Sequence, residues 1–170
     1  MGYRNKTYIA FASEDILSYR LMEAWRENQN IDFDFFDAHD LFVSRDTSKP
    51  ETIKANLRER MKTAKQFVLL GSTIAKKKGS DGSSFLAFEI ATMVSLGLPV
   101  VVANLDGDRT VDRSFIPKPL LDVNYYTMSV SFQPKIIKYA LDNYAVEFSA
   151  SDKTGPYYYK SSVYDDLGLR

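Results

Sequence analysis

The chain has 170 residues, enough for one domain with a buried core, and its 22 basic residues balance its 22 acidic ones. A net charge of zero provides no broad attraction to nucleic acid or to an anionic membrane, so neither is expected as a partner. The sequence has no cysteine and one histidine, which excludes disulfide scaffolds, thiolate nucleophiles and cysteine-ligated or multi-histidine metal sites. Met1–Thr7 is polar and no apolar run is long enough to span a membrane, so we expect a cytoplasmic protein.

Strands and helices alternate in the first part of the sequence. Thr7–Ala12 predicts a first strand, and the apolar residues that recur through Ile16–Trp25 at helical spacing predict the first helix. Ile31–Phe36 alternates apolar and acidic residues, which predicts an outer second strand before a long polar loop. Ser48 is a favourable N-cap, and the charged amphipathic segment that follows it predicts an exposed helix ending near Ala64.

The same alternation continues to the C-terminal part of the sequence. Two uninterrupted apolar runs predict strands that are buried on both faces, as in a parallel sheet. The predicted elements are a strand at Phe67–Leu70, a loop at Gly71–Ser84, a helix at Ser84–Leu96 ended by Gly97, a strand at Pro99–Ala103, a polar loop at Asn104–Ser114, a strand near Val123–Met128 and a helix at Pro134–Tyr144.

This order predicts a flavodoxin-like α/β fold, a doubly wound parallel five-stranded sheet of order 2-1-3-4-5 with helices on both faces. We assign residues 1–144 to that domain and residues 145–170 to a C-terminal extension, which either packs on the domain or serves as an interaction arm. Ligands of such sheets bind beyond the carboxyl ends of the strands where the strand order reverses. The loops Ala12–Ile16 and Gly71–Ser84 are therefore expected to meet there.

Glu89 is the main candidate functional residue, because it is the only charged residue between Ser83 and Gly97. One interpretation places it on a solvated stripe with Thr92 and Ser95, or makes it a favourable charge near a helix N-terminus. The other makes it a carboxylate held among aromatic side chains, able to hydrogen-bond a sugar hydroxyl and to stabilise an oxocarbenium-like centre. The predicted crevice lies at the start of this helix and favours the second interpretation.

Other polar positions are weaker candidates. His39 is interpreted as a loop residue in preference to a general base. Asn104–Asp108 is interpreted as a solvated acidic turn, although it lies where a ribose contact is possible. Lys76–Lys78 is interpreted as a solvated charge run in preference to a pyrophosphate site.

Three segments of the sequence carry a family resemblance. They are the end of the first strand, Phe11–Asp15, the run FVLLGS ending at Ser72, and the helix with Phe88 and Glu89 that leads into GLPVVV. In this order and spacing they resemble TIR domains, most closely the short TIR-like proteins of bacterial Thoeris antiphage systems. The resemblance covers Lys6–Tyr144 and implies cleavage of the nicotinamide glycosidic bond of NAD, with a cyclic ADP-ribose-type product that activates a separate effector.

The resemblance also implies site residues and partners. Glu89 matches the catalytic glutamate of the family, and Phe11 matches the aromatic residue that lines the nucleotide pocket. Together with the predicted crevice, the resemblance leads us to expect further substrate contacts at Ser13, Asp15, Ser72, Phe85 and Asn104. NAD is the expected substrate with no further cofactor or metal, and self-association through TIR surfaces is expected besides the effector that senses the nucleotide product.

The sequence departs from the family pattern at two places. Many TIR enzymes have a tryptophan or cysteine shortly before the glutamate, where this chain has Phe85 and Phe88, which preserves an aromatic wall. The Pro-Gly pair of the loop after the second strand, which bears on how the family assembles, is absent from Ala38–Ser48.

The sequence leaves two alternative functions open and excludes a third. A nucleoside deoxyribosyltransferase would use Glu89 as a nucleophile on deoxynucleosides. A TIR adaptor would bind only other TIR domains, and a filled crevice would support that hypothesis whereas an intact one would argue against it. A two-component receiver is rejected because the third strand ends in Gly71-Ser72, where a receiver needs a phosphorylated aspartate.

Overall fold

A five-stranded, entirely parallel sheet organises the computed structural model, which describes residues 2–31, 33 and 49–169. The strands are β1 (Thr7–Ala10), β2 (Gln66–Gly71), β3 (Val100–Asn104), β4 (Thr127–Ser131) and β5 (Pro156–Tyr158), paired in that order. The helices are α1 (Ile16–Glu27), α2 (Pro50–Thr63), α3 (Thr73–Gly79), α4 (Phe85–Leu96), α5 (Lys118–Asp122), α6 (Pro134–Asp142), α7 (Tyr144–Glu147) and α8 (Ser161–Asp166). Among the described residues, no helix combines the length and apolar character needed to span a bilayer.

Side-chain alternation along the strands builds one apolar cluster on each face of the sheet. Ile9 and Val101 belong to the cluster that contains the buried residues of α1 and α6. Their neighbours Tyr8 and Val102 belong to the opposite cluster, with the buried residues of α2 and α4. The predicted α/β class with helices on both faces of a parallel sheet is therefore confirmed.

The strand order is sequential among the described residues, with β1 at one edge and β5 at the other. The predicted second strand, Ile31–Phe36, lies outside the described residues apart from its first and third positions, so its place beside β1 in the order 2-1-3-4-5 stays a prediction. His39 and Ala38–Ser48 also lie outside them. The opposite edge strand, β5, comes from the segment predicted as an extension, and Tyr164 in α8 accepts a hydrogen bond from the backbone N–H of Ser131 at 3.1 Å.

Two predicted boundaries in the first half of the chain need correction. The segment Gly71–Ser84 was expected to be a loop, but it contains α3. Ser72 caps this helix by accepting a hydrogen bond from the backbone N–H of Ala75 at 3.0 Å. A helix of two turns is too short to show a clear 3.6-residue period, which explains the error. In addition, the residue at the N-cap of α2 is Lys49, whose side chain makes no capping hydrogen bond, while the expected cap Ser48 lies outside the described residues.

The last predicted strand, Val123–Met128, is displaced towards the C-terminus. The structure places β4 at Thr127–Ser131, and Val123 is 57% exposed at the end of α5. All five residues of β4 are buried although three of them carry hydroxyl groups. A search for apolar runs therefore selects the preceding valine and tyrosines and misses the true strand.

Candidate active site

Two loops meet beyond the carboxyl ends of β1 and β2, as the topology predicted. Ser72, after β2, donates a hydrogen bond to Oδ2 of Asp15, after β1, at 2.6 Å. Nζ of Lys78, in α3, donates to Oε1 of Glu14 at 2.5 Å and to Oγ of Ser13 at 3.2 Å. These contacts join the turn that follows β1 to the segment that leads into α4.

A cavity of about 260 Å³ lies between these loops and the start of α4. Four of the predicted site residues line it, namely Phe11, Ser13, Phe85 and Glu89. The polar remainder of the lining comes from the end of α3 and from the segment between α3 and α4, and consists of Lys78, Asp81, Ser83 and Ser84. The structure thus brings together residues from the first strand region and from a helix more than seventy positions later in the chain.

Glu89 lies one turn into α4 and is almost completely buried, with 1% of its surface exposed. The helix is fixed at its start by Ser84, which accepts a hydrogen bond from the backbone N–H of Ala87 at 3.0 Å. It ends at Gly97, whose φ of 66° is the left-handed conformation that glycine adopts without strain. The interpretation of Glu89 as a charge on a solvated stripe is therefore wrong, because the carboxylate faces the interior.

Tyr8 is a partner of Glu89 that the sequence analysis missed. Its hydroxyl donates a hydrogen bond to Oε2 of Glu89 across a sequence separation of 81 residues. The phenol is fully buried, and its ring stacks on Phe67 with centroids 5.4 Å apart. The available signal was a tyrosine within the apolar run of β1, since a buried phenol hydroxyl usually requires a hydrogen-bond partner.

Aromatic side chains form part of the cavity wall. Phe11 is 5% exposed and stacks on Tyr19 with centroids 4.6 Å apart, so its ring is held in place. Phe85, at the first position of α4, is half-buried beside it in the lining. Phe88 lies elsewhere, under the cationic groups of Lys54 and Arg58 at 5.6 and 5.3 Å from its ring centroid. Of the two phenylalanines before Glu89, Phe85 is thus the one that supplies the aromatic wall.

Two carboxylates near the cavity mouth are held in their charged form. The hydrogen bond from Lys78, with a smaller contribution from Ser13, lowers the pKa of Glu14 to about 2. Hydrogen bonds from the side chain and backbone of Ser83 also lower the pKa of Asp81. Both exposed carboxylates therefore carry a negative charge at neutral pH.

The family to which the chain belongs follows from comparison with known proteins. The model of a family described as "Thoeris protein ThsB, TIR-like domain" matches residues 8–110, more than half of the chain. The chain belongs to this family. This Thoeris TIR-like domain is thus a component of an antiphage defence system, as the sequence resemblance implied. The matched segment begins in β1, ends after β3 and contains every predicted site residue.

Three predicted substrate contacts of the TIR-like domain do not line the cavity. Asp15 and Ser72 bond to each other and join the two loops. Asn104 is fully buried, and its amide NH₂ donates to the carbonyl oxygens of Asp108 and Thr110, both at 2.9 Å. These contacts fix the loop after β3, and a substrate contact by Asn104 stays a prediction.

Lys76, Lys77 and Lys78, which the sequence presents as one charge run, do not act together. Lys78 lines the cavity, whereas Lys76 donates a hydrogen bond to the carbonyl oxygen of Arg113 at 2.7 Å, away from it. The run therefore brings only one of its three ammonium groups to the cavity.

A group of acidic residues lies outside the cavity, on the loop that follows β3. The carboxylates of Asp106, Asp108 and Asp112 come within 4.8 Å of one another. Each accepts a hydrogen bond from a backbone N–H two residues later in the loop. Local turn formation accounts for this cluster.

Proposed function

We propose that this TIR-like domain cleaves the nicotinamide N-glycosidic bond of NAD and converts the remainder into a cyclic ADP-ribose-type signal, with Glu89 as the catalytic residue. The observation that carries the proposal is the burial of Glu89 in the wall of a cavity between Phe11 and Phe85. Burial of a carboxylate costs free energy, and a charge in a site from which water is excluded interacts most strongly with a bound substrate.

The proposed reaction requires Glu89 to stabilise positive charge on the ribose. When the C1′–N bond breaks, its electron pair passes to the nicotinamide ring nitrogen and the leaving group becomes neutral. Positive charge then develops on C1′ and the ring oxygen of the ribose. The carboxylate of Glu89 stabilises this centre and accepts hydrogen bonds from ribose hydroxyls, interactions that strengthen in the transition state.

The size of the cavity suits half of a dinucleotide. At about 260 Å³ it lies just below the range of roughly 300–1,000 Å³ that is usual for ligand pockets. The nicotinamide and its ribose therefore occupy the cavity, with the ring against Phe11 and Phe85, and the pyrophosphate and adenosine lie across the mouth. Lys78 is the cationic residue in the described lining of the cavity, and we assign a phosphate oxygen to it as partner.

The product depends on which atom captures C1′. If a nucleophilic atom of the adenosine half of the same molecule bonds to C1′, a ring closes. Where that atom carries a proton, the proton is lost, and the product is a cyclic isomer. Capture by water, with loss of a proton, gives ADP-ribose instead. In a Thoeris system we propose that the cyclic nucleotide passes to a separate effector, and that self-association through TIR surfaces accompanies activation.

The open cavity favours this enzyme over a non-catalytic adaptor, for which a filled crevice was expected. Membership of the Thoeris TIR-like family favours NAD over deoxynucleosides, the substrates of the deoxyribosyltransferase alternative.

The test is chromatography of the purified protein after incubation with NAD, with and without lysate from phage-infected cells. We expect nicotinamide release by the wild type and by a control variant, Glu59→Gln, which makes the same chemical change at an exposed position of α2. We expect none from Glu89→Gln. A second product lighter than ADP-ribose by one water identifies cyclisation.

Absence of release from a folded wild type in every condition would contradict the proposal and favour the adaptor. Base exchange on deoxynucleosides that disappears in Glu89→Gln would favour the deoxyribosyltransferase.

A further inference from the structure

The contact between Tyr8 and Glu89 joins the first strand of the sheet to the proposed catalytic carboxylate. We propose that Tyr8 is a positioning residue, whose hydroxyl holds the carboxylate of Glu89 in one orientation towards the cavity. The inference rests on the proposed function, because orientation of this carboxylate affects a rate only if Glu89 acts on a substrate. Tyr8 itself does not line the cavity, so it acts through Glu89.

Both partners stand on rigid elements. Tyr8 lies within β1, pairs in register with Phe67 of β2 and stacks on its ring with an interplanar angle of 13°. Glu89 is held by α4, which is capped by Ser84. A sheet and a capped helix keep their side chains more precisely in place than loops do, so the hydroxyl and the carboxylate meet at a fixed position before any substrate binds.

The hydrogen bond selects among the conformations of a flexible side chain. A glutamate has three rotatable side-chain bonds, and several rotamers differ mainly in where the carboxylate points. Donation from Tyr8 to Oε2 favours the rotamer in which that oxygen faces β1. The carboxylate is then already oriented when the ribose enters, which removes an entropic cost from the chemical step.

Stability of the fold does not explain why Tyr8 and Glu89 occupy this buried position. Two apolar side chains of similar volume would fill the same buried space without the cost of dehydrating a charge and a hydroxyl. Both groups instead lie in the interior on the side of the sheet that carries α4, and one of them reaches the cavity. Placement of a polar pair at the wall of a cavity fits preorganisation of a reacting group.

The kinetic test compares Tyr8→Phe with the wild type in the nicotinamide-release assay. The variant retains the stacked ring and removes only the hydroxyl. We expect kcat to fall roughly 10- to 100-fold while KM stays near its wild-type value, because orientation of the carboxylate matters to the reaction more than to binding. Tyr125→Phe is the matched control. It removes a hydroxyl that donates to the carbonyl oxygen of Leu98 at 2.8 Å, outside the cavity, and should leave kcat unchanged.

A second measurement needs no activity. Urea midpoints are determined for Tyr8→Phe, Glu89→Met and the double variant, and contact between the two groups predicts that the single effects are not additive. A wild-type kcat in Tyr8→Phe, or a change confined to KM, would overturn the positioning role while leaving the proposed function intact. If the shifts in urea midpoint of the two single variants add up to that of the double variant, the contact between Tyr8 and Glu89 is overturned. A wild type that releases no nicotinamide would overturn the proposed function and, with it, the catalytic part of this inference.

Discussion

The hydroxyl of Tyr144 links the C-terminal part of the chain to two strands of the sheet. It accepts a hydrogen bond from the backbone N–H of Val100, at the start of β3, at 2.8 Å. It also donates to the carbonyl oxygen of Tyr126, just before β4, at 2.7 Å. Tyr144 is 1% exposed, and burial raises the pKa of its phenol well above the usual value, so the group remains a donor as well as an acceptor at neutral pH.

Replacement of Tyr144 by phenylalanine retains the ring and removes both hydrogen bonds. A buried N–H or C=O group without a partner costs about 1–3 kcal/mol, and the carbonyl has a second lone pair that reduces its share. We therefore expect the free energy of unfolding to fall by about 2–4 kcal/mol. For a chain of this length each kcal/mol lowers the melting temperature by about 2–4 °C, which predicts a decrease of roughly 4–16 °C.

The assay is thermal and urea unfolding followed by circular dichroism. Tyr158→Phe is the matched control, because it makes the same chemical change in β5 on a side chain that is 54% exposed. This exposed substitution should change the free energy of unfolding by no more than about 0.5 kcal/mol. Equal shifts in Tyr144→Phe and Tyr158→Phe would refute the reasoning, since burial of the two bonds would then contribute nothing measurable.

Three further predictions concern packing and titration. A Cβ at Gly79 would lie 2.7 Å from the proline that precedes α5, so Gly79→Ala should lower the free energy of unfolding by about 1–3 kcal/mol. Gly82→Ala, whose Cβ meets no atom within 4 Å, should not lower the urea midpoint. Burial raises the pKa of Tyr125 to about 12, so its contribution to stability is complete below about pH 10 and is lost as pH rises through about 12. Urea midpoints at alkaline pH measure this, and an unchanged pH dependence in Tyr125→Phe would contradict it. Because the hydrogen bond from Lys78 is the main cause of the low pKa of Glu14, about 2, that value should rise towards 4.5 in Lys78→Met; an unchanged NMR titration of Glu14 would show that the ion pair does not form in solution.

The interior strands are the part of the fold that the sequence predicts best. Phe67–Leu70 and Pro99–Ala103 correspond to β2 and β3 within one residue at every end, because a strand covered on both faces requires apolar residues throughout. β4 fails this test because three of its five buried residues carry hydroxyl groups, so it does not form an apolar run. β5 has three residues, two of them exposed tyrosines, and no local pattern distinguishes it from an ordinary tail. Its pairing with β4 is decided by tertiary contacts.

In the candidate site, too, some residue positions follow from the sequence and others depend on long-range structure. Glu89 and the loop that holds Ser13 were predicted from topology, and Phe11 from the family resemblance; these three residues line one cavity. Asn104 was placed near the site by the same rule, since it ends β3 at the same edge of the sheet. Its side chain nevertheless bonds the backbone of its own loop, a choice that depends on loop conformation and is invisible in the sequence.

The decision about Glu89 shows why a lone charge in an apolar helix is ambiguous. The helix alone is compatible with a glutamate on either face, because its remaining residues are nearly all apolar and give no polar stripe to orient it. On the buried face the carboxylate meets a donor on another element, the hydroxyl of Tyr8, which is placed by the pairing of β1 with β2. A buried carboxylate without a hydrogen-bond donor would be strongly unfavourable. The phenol of Tyr8 in β1 supplies such a donor to the buried Glu89 in α4. A variant with phenylalanine at position 8 therefore tests whether that arrangement serves the reaction or only the fold.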